Sequence, residues 1–323
     1  ECLVTKNQLV IAGEISSKTN INHEEVARSV IHKIGYIDPS LGFHAGCNII
    51  DLMHRQAPEL NINEGAGDQG LVFGFACNQT KELMPLPISL AHRLTRRLTE
   101  VRNENIIDGL YPDGKSQVTV RYENNVPVSI DNIIVSTHHS NRYKEDDQFE
   151  TLKSKIINHV VSYAIPQELL PDNASIIINP NGPWYKSGGP AADTGVTGRK
   201  IIADTYGGFA RHGGGAFSGK DATKVDRSGA YMARKLARSI VQNGYADECE
   251  IQLGFAIGKS KPISRAVKTF GTEKVSIEKI QQFIFENSDI TLSQMIDNLN
   301  LREPRFEELS NYGHFGRDEF IWS

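Results

Sequence analysis

Residues 183–227 constrain this chain more than any other stretch. They hold ten of its 28 glycines, with seven basic residues (Lys186, Arg199, Lys200, Arg211, Lys220, Lys224, Arg227) against four acidic ones (Asp193, Asp204, Asp221, Asp226). The local charge is 7 − 4 = +3 in a protein whose total is 35 − 39 = −4. Glycine lets backbone approach a ligand closely, and cations answer phosphate oxygens. A glycine-rich loop of this length is a functional segment, and the rest of the chain must carry it. The rest is large enough to do so. At 323 residues, 39% of them hydrophobic, the chain has the length of about two or three domains. It can bury a core without disulfide or metal staples.

Several function classes fall away on composition. A pI near 6.2 lacks the basic excess of a dedicated nucleic-acid binder. No run of about 18 apolar residues occurs, so no transmembrane helix is expected. No basic and apolar opening marks a secretory signal. Cys2, Cys47, Cys77 and Cys249 form no Cys-x-x-Cys pair, which speaks against a zinc ribbon or a dense disulfide framework. The expectation is a cytoplasmic protein with reduced cysteines and no nucleic-acid or membrane partner. The chain opens at Glu1 rather than Met, and reads as processed, trimmed or incompletely presented there.

The periodicity predicts strands over 8–15, 117–122, 129–137, 176–178 and 250–257. It predicts helices over 22–34, 87–102, 148–163, 227–243, 276–288 and 291–299. Asn22 caps the first helix, whose Val26, Val30 and Ile34 share an apolar face. Leu90, Leu94, Leu98 and Val101 form the core stripe of the second. Residues 179–182 (Asn-Pro-Asn-Gly) read as a turn. Strands and helices mix without a regular β-α-β beat, so the fold class is α+β, with mixed or antiparallel sheets covered by helices on one face.

Four constellations could carry chemistry. Gly214 to Lys220 fits G-x-x-x-x-G-K, but a nucleotide-binding P-loop needs a strand directly before it and Ser or Thr after the lysine. Asp221 stands in that place, and the nearest plausible strand, 200–204, ends about ten residues too early. A phosphate cradle of another kind is favoured over a flexible surface loop. Gly65-Ala-Gly-Asp68-Gln-Gly70 reads as a carboxylate held near a ligand or metal, or as an ordinary turn. Asp113-Gly114-Lys115, before the 117–122 strand, places a cation at a strand mouth, where solvated lysines are also common. His138-His139 has no acids or cysteines at a matching spacing, and reads as two solvated histidines.

Together these segments resemble the S-adenosylmethionine synthetase (methionine adenosyltransferase) family. The resemblance rests on Gly65-Ala-Gly-Asp-Gln-Gly, Met84-Pro-Leu-Pro, Ala91-His-Arg-Leu, Pro112-Asp-Gly-Lys-Ser-Gln-Val-Thr and Ser136-Thr-His-His-Ser. It continues through Gly188-Gly-Pro, Asp193-Thr-Gly-Val-Thr-Gly-Arg-Lys-Ile-Ile, Asp204-Thr-Tyr-Gly-Gly and Gly213-Gly-Gly-Ala-Phe-Ser-Gly-Lys-Asp. Lys224-Val-Asp-Arg-Ser, Phe270-Gly-Thr-Glu-Lys-Val and Tyr312-Gly-His-Phe-Gly-Arg complete it. These run in the family's order over nearly the whole chain.

The resemblance implies three similar domains around a pseudo-threefold axis, with sheet faces forming a dimer interface. The corresponding segments are 1–58, 65–182 and 183–323. It implies attack of methionine sulfur on C5′ of ATP, then hydrolysis of bound tripolyphosphate. Matched by motif, Lys115 lies at the attack centre with Asp113 and Gly114 beside it. Arg199, Lys200 and Lys220 grip phosphates, Ala216 offers a backbone contact to ATP, and either Trp184 or Tyr185 stacks on adenine. Glu14, Gln56, Asp68, Asp193 and Lys224 surround methionine, Asp193 standing between the adenosine and the methionine amine. Asp226 belongs to the magnesium region, and Glu1 matches a potassium ligand. Two Mg²⁺ and one K⁺ are implied, as is a homodimer or dimer of dimers with active sites between subunits. The family's Ser-Glu-Gly-His-Pro-Asp-Lys segment does not precede Glu1 in this sequence, nor does its last helix follow Ser323. Residues 57–64 are shorter than the mobile loop of bacterial members, which implies a reduced lid. The alternatives are a catalytically inactive regulatory relative and another ATP-dependent phosphotransferase.

Overall fold

The computed structural model describes residues 1–56, 65–303 and 305–323. Residues 57–64, which read as a shortened lid, lie outside the described residues. Among the described residues three sheets carry the architecture, and the contacts divide the chain into two compact units. Glu1–Gln56 and Leu90–Thr197 form the first, and Ala57–Ser89 and Gly198–Ser323 the second.

The first unit holds two sheets. Strands β1 (Cys2–Thr5), β2 (Gln8–Ile15), β3 (Asn48–Arg55) and β8 (Gly195–Val196) order as β3-β2-β1-β8. The β1–β2 and β1–β8 pairs are antiparallel, and β2–β3 is parallel. Helix α1 (His23–Ile34) connects β2 to β3, capped by the Asn22 side chain, which accepts from the Glu25 amide. Its buried side is not the expected one. Ile31 enters the core with Leu9, Tyr36, Phe43 and Cys47, whereas Val26, Val30 and Ile34 are exposed. The periodicity was helical, but two apolar stripes lie on this helix, and the sheet takes the one through Ala27 and Ile31.

The other sheet orders as β5-β6-β7, from β5 (Leu110–Glu123), β6 (Val126–His139) and β7 (Ser175–Ile178). Asn124 and Asn125 join β5 to β6 in a two-residue turn, both at positive φ, the conformation that matches strand twist in tight hairpins. Both strands are longer than the alternation in the sequence indicates. Asp113-Gly114-Lys115 therefore lies within β5, not before it, beside an irregularity between Leu110 and Gly114. Helix α2 (Leu86–Asn103) buries Leu90, Leu94, Leu98 and Val101 as expected. It crosses the boundary between the units, and in the first it meets β5, where Ser116 Oγ donates to the Ala91 carbonyl at 2.7 Å. Helix α3 (Asp146–Ile156) runs through a π-helical turn, Ile157–Val161, into α4 (Ser162–Ala164). Arg97 Nε donates to the His159 carbonyl within that turn, at 3.0 Å.

The second unit is built on an antiparallel sheet ordered β10-β9-β4, from β4 (Gly70–Cys77), β9 (Glu248–Phe255) and β10 (Ser264–Lys268). Helix α5 (Val225–Gln242) packs on β4 and β9 through Ala230, Ala233 and Ala237. Helices α6 (Ile277–Ser288) and α7 (Leu292–Asn298) complete the layer. Pairing ignores sequence segments: β4 joins β9 from far along the chain, and β8 joins β1. No strand forms at 200–204, the nearest place where one was plausible before the glycine-rich loop. These residues are turns, with the Asp204 amide donating to the Lys200 carbonyl at 2.9 Å. Glycines at positive φ (Gly198, Gly207, Gly208) bracket them.

Candidate active site

In the first unit, Lys115 of β5 stands opposite Ser136 of β6. The two line a cavity of about 330 Å³ with Asn179, Asn181, Gly182 and Trp184. Two buried side chains shape its wall. The Asn179 amide pairs with Thr137, its Oδ1 accepting from the Thr137 amide at 2.8 Å and its Nδ2 donating to the carbonyl at 3.1 Å. His139 brackets Trp184: the His139 amide donates to the Trp184 carbonyl at 3.0 Å, and the Trp184 amide to His139 Nε2 at 2.9 Å. That contact makes Nε2 the acceptor, so Nδ1, 2.9 Å from the Ser140 carbonyl, carries the proton.

The histidine pair is therefore not solvated. His138 is 2% and His139 0% exposed, because β6 runs on through both and the segment around Trp184 covers them. Burial pushes both imidazoles below the ordinary histidine value. The Trp184 ring lies 5.5 Å from that of His138, and its Nε1 donates to the Ser187 carbonyl at 2.6 Å. The Tyr185 ring turns to His139 at 6.4 Å.

Asp113 accepts from the Gly189 amide at 2.7 Å. Gly189 has φ +57°, and a Cβ there would run into the Tyr36 hydroxyl. Gly189 thus lets the backbone close on Asp113 of β5. Burial, with the Asp113 charge adding to it, pushes the Tyr36 hydroxyl up to about 12. Asp193 is exposed, its amide donating to the Gly189 carbonyl at 3.2 Å. Gly114 and Lys115 are exposed. On the other sheet, register sets Glu14 against His54, with Oε1 3.5 Å from Nε2. Gln56 follows directly after β3 and is half-buried. The Glu1 amine donates to the Ala12 carbonyl at 2.8 Å, two residues before Glu14, and its carboxylate is exposed.

In the second unit, the loop 211–220 is fixed at both ends. Arg211 donates to Glu250 of β9 from its amide at 3.0 Å and from Nε at 2.7 Å. Glu250 is 4% exposed, and the guanidinium lies over the Phe73 ring. At the far end, Lys220 Nζ donates to Asp226 Oδ2 at 2.5 Å. Gly215 makes that contact possible, since a Cβ there would fall inside the Asp226 carboxyl. Asp226 sits in the first turn of α5, where helix amides favour negative charge. A Cβ on Gly70 would stand 3.7 Å from Asp226 Oδ1, so the Gly65–Gly70 motif ends beside that acid. Asp68 itself is exposed and accepts from the Gln69 amide at 2.8 Å. Burial lowers the His212 imidazole against the opposing pull of Asp226. Lys224 precedes α5, 3.5 Å from Asp221. Arg199 and Lys200 are exposed, and Lys200 Nζ donates to the Arg199 carbonyl at 3.4 Å. Ala216 packs directly against Gly198.

Among the described residues, no group of three or more His, Cys, Asp or Glu is arranged to hold a metal by itself. None of their helices is long and apolar enough to cross a membrane.

Each of the three domain models of S-adenosylmethionine synthetase matches the chain, the N-terminal domain over residues 1–58, the central over 63–184 and the C-terminal over 187–323. The chain belongs to the S-adenosylmethionine synthetase family. It is therefore a methionine adenosyltransferase with a three-domain α+β architecture, and the substrates of its family are ATP and methionine. Within a synthetase of this kind, some features of the loop have no counterpart in the motif reading. The Arg211–Glu250 pair was missed because its partners are 39 residues apart. The motif assigns Asp204 no role, yet burial pushes its carboxyl up to about 6. Tyr312-Gly-His-Phe-Gly-Arg likewise had no role, although His314 is 1% exposed beneath the glycine turn.

Proposed function

We propose that the enzyme forms S-adenosylmethionine by attack of the methionine sulfur on C5′ of ATP, then hydrolyses the tripolyphosphate to pyrophosphate and phosphate. The sulfur lone pair makes the new S–C bond, and the C5′–O bond pair leaves with the polyphosphate. A thioether has no proton to lose, so no general base is needed. The barrier lies in the charge that gathers on the leaving oxygens, and fixed cations stabilise it. The observation that carries this reading is the Lys220–Asp226 contact at 2.5 Å inside a glycine turn too tight for a side chain. It sets a cation and a carboxylate together at the glycine turn, where phosphate oxygens can approach.

Lys115 serves the attack centre, with Asp113 and Gly114 shaping the strand beside it. Arg199, Lys200 and Lys220 hold the polyphosphate, and Ala216 offers its backbone. Trp184 is the adenine platform rather than Tyr185, since Trp184 is among the residues lining the Lys115 cavity. Glu14, Gln56, Asp68, Asp193 and Lys224 receive methionine. Asp226 fits magnesium chemistry, because Mg²⁺ takes one or two carboxylates and fills its shell with phosphate oxygens and water. When bound, two such ions neutralise and orient the phosphate chain. Glu1 supplies an exposed oxygen donor for K⁺.

A homodimer, alone or paired into a tetramer, with active sites between subunits, belongs to this reading. Ile50 and Leu52 of β3, with Val126 and Val128 of β6, leave apolar surface exposed on two sheets, as a covering subunit requires. A cytoplasmic setting agrees with free, buried Cys47, Cys77 and Cys249. Neither rival finds support. A P-loop phosphotransferase needs a strand before the loop, where turns stand, and an inactive relative need not retain Lys115, Arg199, Lys200, Lys220 and Asp226 together. Chemical quench of a single turnover is the test. S-adenosylmethionine should appear before free phosphate, with tripolyphosphate caught between them. Phosphate released before any S-adenosylmethionine would contradict the order.

A further inference from the structure

Ser218 lies in the glycine turn, and buried polar groups reach it from two other parts of the second unit. Arg227 of α5 donates from Nε to the Tyr231 hydroxyl at 3.0 Å and from Nη1 to the Lys220 carbonyl at 2.7 Å. The Tyr231 hydroxyl is 2.7 Å from His314 Nδ1, and His314 Nε2 is 3.4 Å from Ser218 Oγ. Arg227, Tyr231 and His314 are 3%, 0% and 1% exposed. The direction of the chain follows from donor chemistry. A guanidinium only donates, so the Tyr231 oxygen accepts from it. The single phenolic proton then points to His314 Nδ1, and the imidazole proton sits on Nε2, facing Ser218. Burial pushes the Tyr231 hydroxyl up to about 12, which keeps that proton in place.

Rings hold the relay rigid. Trp322 stacks on Tyr231 at 4.7 Å and 5°, and the Phe217 ring stands edge-on to His314 at 5.1 Å. The His314 amide donates to the Asp204 carbonyl at 2.8 Å. One residue, Arg227, thus ties down the Lys220 backbone directly and Ser218 through two intermediates.

We propose that Arg227, Tyr231 and His314 are positioning residues, which fix the Lys220 backbone and the Ser218 side chain and so hold the Lys220 ammonium where the polyphosphate must meet it. The inference rests on reading Lys220 as a phosphate cation. Asp226 holds the ammonium from the side-chain end, and the relay holds Lys220 from the backbone end. With the relay cut, the backbone relaxes and the transition state loses a cation at the right place. Misplacement on the scale of an ångström costs up to about a hundredfold in rate.

The test uses the full-length enzyme, with kcat and KM measured for added tripolyphosphate and for S-adenosylmethionine formation. Tyr231→Phe keeps the stacked ring and removes the relay proton. Ser218→Ala removes the other end and leaves the core untouched. Each is expected to lower kcat about tenfold or more, with little change in KM for methionine. His314→Asn, which retains an acceptor near the Nδ1 position, should keep more activity than His314→Leu. In a Lys220→Ala background, Tyr231→Phe should add almost nothing, because both act through one group. Full additivity of the two substitutions, or folded Tyr231→Phe and Ser218→Ala enzymes with undiminished kcat beside an impaired Lys220→Ala, overturns this inference alone. An unimpaired Lys220→Ala enzyme overturns the phosphate reading of the loop, and this inference with it.

Discussion

Asp204 shows how a single residue couples the loop to pH. Burial pushes its carboxyl up to about 6 from an ordinary 3.8, so the folded protein holds that proton more tightly than the unfolded chain does. Below pH 4 both states are protonated and nothing is lost. As pH rises from about 4 to about 6 the unfolded chain releases its proton first, and stability falls, remaining lower at neutral pH. Asp204→Asn removes that cost. Thermal melts should therefore show a Tm advantage for the variant that is largest at pH 7 and shrinks towards pH 4.5. An advantage equal at every pH would contradict the assignment. At this scale, motif register singled out Lys115, Lys220 and Asp226 as candidates, since the spacing of glycines around them is the signal. His138 and His139 were misread because burial depends on the segment around Trp184, some 45 residues away, and no local pattern reports it.

Elements were legible where an end carries its own chemistry. Helix α7 begins at a capping box: the Thr291 hydroxyl accepts from the Gln294 amide, and the Gln294 side chain accepts from the Thr291 amide at 2.8 Å. Thr291→Ala should cost about 1 kcal/mol of stability, read as a lower urea midpoint with an unchanged slope and an unchanged kcat. A fall in kcat without a shift in the midpoint would place the residue in the catalytic machinery instead. Strands β1, β3, β4, β8 and β10 were not read from the sequence. β1 and β8 are four and two residues long, too short for alternation to show. β4 is buried along most of its length, so its apolar run carries no period of two. The α1 face was misassigned for a related reason: periodicity names a helix, while the sheet beneath it chooses the stripe.

For the whole molecule, the order of motifs along the chain identified the family, and the α+β class followed from the mixture of periods. The pairing of the sheets did not follow, because β4 finds β9 and β1 finds β8 across long stretches of sequence. Assembly and chemistry meet at this scale, since the products report on every group at once. The most direct measurement is mass spectrometry of the products formed by the full-length enzyme from ATP, with and without methionine, in Mg²⁺ and K⁺. S-adenosylmethionine, pyrophosphate and phosphate in equal amounts, formed only when methionine is present, are the predicted result. ADP formed without methionine, or no adenosyl transfer at all, would contradict it.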